Sequence, residues 1–332
     1  MSSWPPLPMA DIDWSSPKDL FSHQYNGHVQ ATYRKSTGRW TLLQIVQDPN
    51  IRAHGLAAGL NYGQQAFEGL GAFRQTGTPG GISIFRPVYN ALRFQYSARV
   101  LSLPEVPTEM FIRAIRMAVA VNATYVPPVN SGWSMYCGPL LLATSPTLMP
   151  GFPEECTFCV YVFLTALGSQ ADSAPVKALI LDDFDRAATR GTGRAKIGTN
   201  YAGVASWSRQ ASEAGFGITL HLDSVRHENI DQFSTCGFLG VSKLHIDKVT
   251  NYTIVVPDSP SAVVGVTSDS ILHIAKSWGW NVVKRRIKYT ELNNFSEVIG
   301  TGTAVGLIQI RSITRRWSDD LPRWSSILRP AR

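Results

Sequence analysis

The stretch Arg190-Gly-Thr-Gly-Arg-Ala-Lys196-Ile-Gly-Thr-Asn-Tyr201-Ala-Gly203 sets a single lysine among glycines and other small residues. Gly191-Thr-Gly193 alone suits an ordinary turn as well as a phosphate loop. The GxxxxGK[ST] spacing of a P-loop is absent. Small neighbours leave room for a planar group beside the Lys196 amine, and Tyr201, five residues on, offers a hydroxyl to such a group. A lysine held in a site of this kind forms a Schiff base with a carbonyl once its pKa is lowered. The alternative is a solvated surface lysine in a glycine-rich turn.

The flanking sequence gives this loop a place in a fold. A strand is expected over 176–182 before it, and a helix over 201–214, stopped by Gly215, after it. Further strands are expected over 218–222, 238–241, 281–287 and 298–306. A helix over 268–278 closed by Gly279 and a short one over 291–295 complete this half. Upstream, a hairpin turns around Ser36-Thr-Gly38, and a short strand covers 82–85. Helical apolar spacing follows over 88–101 and 108–121. Apolar runs over 134–143 and 156–167 read as buried strands. Strands and helices mixed in both halves predict an α+β fold. Gly168-Ser-Gln-Ala-Asp-Ser-Ala-Pro175 has linker composition. It divides a small α/β domain with an N-terminal extension (1–167) from a larger domain (176–332).

The 332 residues suit about two domains of roughly 150 residues. With 44% hydrophobic and 17% charged residues, the chain is neither disordered nor a coiled coil. No apolar run reaches the roughly 18–20 residues of a membrane span. The first residues, MSSWPPLPMADIDW, lack the basic and apolar regions of a secretory signal. The expectation is a soluble cytoplasmic protein. The net charge of +7 invites a nucleic-acid reading, but residues 311–332 hold six Arg and two Asp and so carry +4 of it. The rest is near balance. We therefore expect a solvated basic tail, with Trp317, Trp324 and Leu328 able to pack back, and no nucleic-acid partner. Cys156-Thr-Phe-Cys159 has CxxC spacing but no second pair, and residues i and i+3 of a strand face opposite ways. Cys137, Cys156, Cys159 and Cys236 are expected as buried thiols. The seven histidines show no paired ligand spacing, so no metal is expected.

Five motifs then fall in one order. They are Tyr62-Gly-Gln-Gln-Ala-Phe67-Glu68-Gly69, Phe85-Arg-Pro-Val-Tyr-Asn-Ala-Leu-Arg93, Lys196-Ile-Gly-Thr-Asn-Tyr201, Gly265-Val-Thr267 and Gly300-Thr-Gly302-Thr303-Ala304. Over residues 61–313 the chain resembles the class IV, fold-type IV, pyridoxal-phosphate-dependent aminotransferases, whose best-known members are the branched-chain amino-acid aminotransferases. The resemblance implies a small α/β domain and a larger, β-barrel-like cofactor-binding domain, a homodimer, and pyridoxal 5'-phosphate as cofactor. It implies that Lys196 is the catalytic Schiff-base lysine. Arg93, Tyr201, Gln232, Thr235, Val266, Thr267 and Thr303 would join Lys196 around the cofactor. Tyr62, Phe67, Gly69, Tyr136, Gly138 and Ala304 would face the substrate, a small amine or keto acid. Elementary chemistry agrees at two points: a helix N-terminus suits a phosphate, and so does an arginine fork. Read without the resemblance, Arg93 is equally a surface helix residue and Thr267 an N-cap.

The sequence also departs from the family. Gln232-Phe-Ser-Thr235-Cys-Gly237 stands where the family has E-x-x-T-x-N, and that glutamate keeps the pyridine nitrogen protonated. Two unit charges 4 Å apart interact by about 4 kcal/mol at an effective dielectric near 20. Losing the carboxylate could lower the nitrogen's pKa by up to about three units, which makes the ring a poorer electron sink. On a strand Asp231 faces away from Gln232, and Glu228 is about 13 Å along it. Neither is a replacement. Gly237 replaces an asparagine, and Gly138 stands where many relatives have arginine, which widens the substrate side and removes a charge. The expectation is an aminotransferase acting on a non-standard amine or amino acid, with specialised metabolism as a candidate setting. The alternatives are a lyase or isomerase on the same cofactor, and a repurposed fold that binds a metabolite or rearranges it without cofactor.

Overall fold

The computed structural model describes residues 4–15, 25–77, 81–166, 174–246, 249–304, 306–316 and 324–328. The expected linker lies outside them except for Ala174 and Pro175, and so does Trp317. The chain forms two compact units, Met1–Gln170 with Ala195–Gly198, and Ala171–Arg194 with Thr199–Arg332. The four residues around Lys196 thus belong with the first unit, although the sequence on either side of them belongs with the second.

The first unit is an eight-stranded antiparallel sheet with two helices packed on it. Its centre pairs Trp133–Ala143 with Glu155–Ala166 along their whole length, and His28–Arg34 adds to the latter. Gln65–Phe67 and Leu70–Arg74 pair with Trp133–Ala143. Ile82–Ile84 closes that edge. Helices Pro87–Val100 and Thr108–Val121 bury one stripe each against the sheet. The aromatic centre is Phe94, Phe111 and Phe158, with ring centroids 5.4 to 6.2 Å apart. Arg86, with a left-handed φ of 46°, turns the chain from the Ile82–Ile84 strand into the helix at Pro87, whose fixed φ suits a first helical position.

The second unit is a nine-stranded mixed sheet. Eight strands run in the order Ile230–Phe233, Ile218–Leu222, Val176–Ile180, Gly306–Arg316, Glu297–Gly302, Gly237–Ile246, Val249–Pro257, Asn281–Arg285, and the ninth, Trp324–Leu328, pairs with Gly306–Arg316 off this path. Helix Val266–Ser277 connects the last two, which run parallel as a strand–helix–strand crossover requires. Trp207, Ala211 and Phe216 of the Ala205–Glu213 helix region pack on Leu179 and Leu181.

Several expectations need correction. The helix expected over 201–214 is two, Thr199–Ala202 and Ala205–Glu213, broken at Gly203-Val204. The helix expected from 268 starts at Val266, so Thr267 lies in its first turn rather than before it. The segment at 291–295 is a 3-10 turn, Tyr289–Asn294. Glu297–Gly302 ends early, and two long strands, Val249–Pro257 and Gly306–Arg316, had no forecast. The tail is not simply solvated, because Trp324–Leu328 pairs with Gly306–Arg316. All four cysteines are free and buried. Among the described residues no helix is long and apolar enough to cross a membrane, and no group of three or more His, Cys, Asp or Glu could hold a metal ion.

Candidate active site

Half of the sequence-defined residues lie in the first unit. The Lys196 N–H donates to Ser97 Oγ at 2.9 Å, and its carbonyl accepts from the Phe67 N–H at 3.1 Å. Ile197 bridges to Ala66. The lysine backbone is therefore fixed as if it were a further short strand against Gln65–Phe67. Its Nζ stands 4.0 Å from the centre of the Phe67 ring, close enough for the ring face to attract the ammonium. Lys196 is half-buried.

Ser97 also ties Lys196 to Arg93, because its hydroxyl donates to the Arg93 carbonyl one helical turn back, at 3.1 Å. The Arg93 guanidinium in turn grips Glu68, Nε to Oε1 at 2.6 Å and Nη2 to Oε2 at 2.7 Å. Glu68 is fully buried. Its Oε2 also accepts from Asn90 Nδ2 at 2.8 Å and from the Gly69 N–H at 3.1 Å. Glu68, Asn90 and Ser97 were absent from the residues expected at the site. The acid inside the Phe67-Glu68-Gly69 motif and the i, i+4 spacing of Arg93 and Ser97 were the signals available.

The expected substrate-facing residues differ in exposure. Tyr62 is half-exposed at the end of the Ala58–Asn61 turn. A Cβ on Gly69 would overlap the Tyr136 hydroxyl, so the glycine makes room for that ring, which stacks on Phe163 at 4.5 Å. A Cβ on Gly138 meets nothing nearer than 3.8 Å. Space therefore exists where a longer side chain would stand.

The other half lies in the second unit. Tyr201 is half-buried in the Thr199–Ala202 turn, and its neighbour Asn200 is held by Thr192 at both ends of its amide. Val266 and Thr267 open the Val266–Ser277 helix after Gly265, which as N-cap residue has no side chain to cap it. Such an N-terminus, with its dipole, suits a dianion. Thr303 and Ala304 follow Glu297–Gly302, and Thr235 is exposed between Ile230–Phe233 and Gly237–Ile246. A Cβ on Gly237 would come within 3.0 Å of Ser268 Oγ and 3.1 Å of Thr301 Oγ1, which bond each other at 2.6 Å. That hydroxyl pair fills the space an asparagine would need.

Gln232 is buried on a strand with both faces covered. Its Oε1 accepts from the Val263 N–H at 2.8 Å and its Nε2 donates to the Phe233 carbonyl at 3.0 Å. A backbone N–H only donates and a carbonyl only accepts, so the amide orientation is forced. This side chain therefore keeps one lone pair of its oxygen and one N–H for a further partner. Gln232 also borders a cavity of about 440 Å³ with Gly265 and Ser268, a volume in the range of small-ligand sites.

Asp231, beside it, accepts from Ser259 Oγ, and burial pushes its carboxyl up to about 6. The folded chain then holds a proton that the unfolded chain releases between about pH 4 and 6. Stability should fall as pH rises across that window, by up to about 3 kcal/mol, and level off above it. Asp231→Asn, which still accepts from Ser259, should flatten the decline in urea midpoints between pH 4 and 7.

Residues 66–313 match the family described as amino-transferase class IV. The chain belongs to this family. Aminotransferase poxL of Penicillium oxalicum is 45% identical over 318 residues, which cover 96% of this chain and 84% of that protein. The branched-chain amino acid aminotransferase of Escherichia coli has the same fold, with a TM-score of 0.67 at 21% identity over 87% of this chain and 86% of the other. The branched-chain aminotransferase of the thermophilic archaeon Thermoproteus uzoniensis, solved with norvaline, gives 0.66 at 19% identity over 86% of this chain and 87% of the other. The chain is thus a fold-type IV aminotransferase acting on small molecules. The relatives support amino transfer and not the lyase, isomerase or rearrangement alternatives.

Proposed function

We propose that the chain is a pyridoxal 5'-phosphate-dependent transaminase for a non-standard amine or amino acid, with Lys196 as the residue that holds the cofactor and moves the proton. The observation that carries this is the fixed position of Lys196 between Ser97 and Phe67, tied through Ser97 to Arg93. The residues present fit the cofactor. The second unit has a helix N-terminus for a phosphate, with a glycine at its N-cap. The first has an amine on a rigid backbone. When bound, pyridoxal phosphate supplies a carbonyl that condenses with amines and a ring that accepts electrons from the substrate carbon.

In this reading Val266, Thr267 and Thr303 of the second unit would hold the phosphate, Tyr201 and Thr235 of the same unit would contact the ring, and Arg93 of the first unit is a further phosphate-binding candidate. Lys196 Nζ would serve as the general base and acid that takes the proton from the substrate carbon and gives it back. Tyr62, Phe67, Gly69, Tyr136 and Gly138 of the first unit would contact the substrate, with Ala304 of the second unit a further candidate. The open space at Gly138 and the missing cation there favour a substrate bulkier than a branched-chain amino acid. Exchange of amino groups between a panel of amines and keto acids, read by mass spectrometry, tests the reading. Turnover of the common branched-chain amino acids in preference to every larger amine would contradict it.

Gln232 would face the pyridine nitrogen in this reading and leave it largely unprotonated, since a neutral amide lacks the carboxylate's charge. Gln232→Glu is expected to speed single-turnover conversion of the bound cofactor to its amino form, tenfold for each 1.36 kcal/mol regained. The same change sets a carboxylate against the Phe233 carbonyl and should cost about 1 kcal/mol of stability. Rapid conversion by the native protein, unchanged in Gln232→Glu, would sink the electron-sink argument.

The reading extends to a cytoplasmic homodimer. Phe85, Val88, Tyr89, Leu92 and Tyr96 of the first unit are exposed along one side of the Pro87–Val100 helix, an apolar surface of the kind that marks an interface. Light scattering should give twice the chain mass. A monomer with full activity would contradict the dimer.

A further inference from the structure

We infer that Arg186 is a positioning residue that holds the segment leading into the Val266–Ser277 helix, and through it the anion-binding N-terminus of that helix. The inference rests on the cofactor reading above.

Arg186 is buried, and its Nη2 donates to two carbonyls, those of Gly193 and Ser261. Its Nε and Nη1 find no partner among the described residues. Burial works against its charge, and the nearby Tyr201 and Asp231 only partly offset this. A buried guanidinium with unpaired donors is costly, and an apolar side chain of the same volume would avoid the cost. What Arg186 provides in return is the seam between two backbone segments. That seam is tight, because a Cβ on Gly193 would come within 2.6 Å of the Ser261 carbonyl oxygen.

The segment so held has no regular structure between Pro257 and Val266. Its alternate residues are each tied by a buried polar side chain: Ser259 to Asp231, Ser261 to Arg186, Val263 to Gln232. Five residues beyond Ser261 the helix begins. Backbone N–H groups bind an anion only when they are held in position, so a loosened approach weakens the anion end first. Arg186 also holds the Gly193 carbonyl, three residues before Lys196, but Lys196 keeps its own backbone bonds to Ser97 and Phe67. Loss of Arg186 should therefore be felt more by the phosphate than by the aldehyde.

The test is release of pyridoxal 5'-phosphate from the holoenzyme, compared with release of pyridoxal, which lacks the phosphate, from the same protein reconstituted with it. Arg186→Met should weaken pyridoxal phosphate on the order of ten- to a hundredfold, the loss that goes with a hydrogen bond from a charged donor. Pyridoxal should be weakened distinctly less. Arg186→Lys keeps the charge and can reach one carbonyl, so it should show the same selective loss at smaller size, and it serves if the Met variant does not fold. Equal weakening of both ligands, or of neither, would overturn the inference. A wild-type chain that binds neither ligand removes the cofactor reading, and this inference falls with it.

Discussion

Lys196→Ala should lower amino transfer by at least about 10⁴-fold, the upper range of positioned acid–base catalysis, because covalent attachment is lost as well. No other amine takes its place in the first unit, as far as the described residues show. Lys35, the other lysine described there, pairs with Glu154 at 2.6 Å and lies on the exposed turn after His28–Arg34. The backbone bonds that fix position 196 run through its N–H and carbonyl, which alanine retains. The variant should therefore melt close to the native protein. Steady-state turnover with the best amine of the panel, alongside a thermal melt, separates lost chemistry from lost fold. Turnover within tenfold of native would place the proton transfer on another residue.

Glu68→Ala should destabilise the first unit by about 3–5 kcal/mol, the usual cost of breaking a buried ion pair by removing one partner. The carboxylate accepts from Arg93 twice, from Asn90 and from the Gly69 N–H. All four donors lie at or beside the residues that the proposed site uses. Its removal leaves buried donors without this acceptor, which costs more than the pair contributes. Urea unfolding followed by fluorescence reads the change as a shift of midpoint. A loss below about 1 kcal/mol would mean that water replaces the carboxylate, and that Glu68 does not brace Arg93.

The stretch around Lys196 disclosed the chemistry in the sequence because its residues are unusual together: one lysine, small neighbours and a tyrosine. The two helices at Pro87–Val100 and Thr108–Val121 were legible from apolar spacing, since each buries one stripe against a sheet. The strand Val249–Pro257 was not. Its first half, Val-Thr-Asn-Tyr-Thr, is mostly polar and pairs over a half-exposed stretch of sheet, so alternation there is weak. Trp324–Leu328 was hidden by six arginines whose charge reads as solvated tail. The break at Gly203-Val204 reflects a glycine inside an otherwise helical pattern.

The site shows the same division. Motifs named Arg93, Lys196 and Gln232, but their partners come from distant sequence: Glu68 for Arg93, Ser97 for Lys196, Val263 for Gln232. A hydrogen bond across 25, 99 or 31 positions leaves no local pattern. Arg186 went unnoticed for a related reason. A basic residue in a polar loop reads as exposed, and only the packed structure reveals that it is buried against two carbonyls.

The central claim is that Lys196 carries the cofactor. Borohydride reduction of the native holoenzyme, followed by proteolysis and mass spectrometry, reads it directly. A phosphopyridoxyl adduct confined to Lys196, within Ala195-Lys196-Ile197-Gly198, is the expected result. An adduct on any other lysine, or a protein that binds pyridoxal phosphate and transfers amino groups with no adduct at Lys196, would contradict the account.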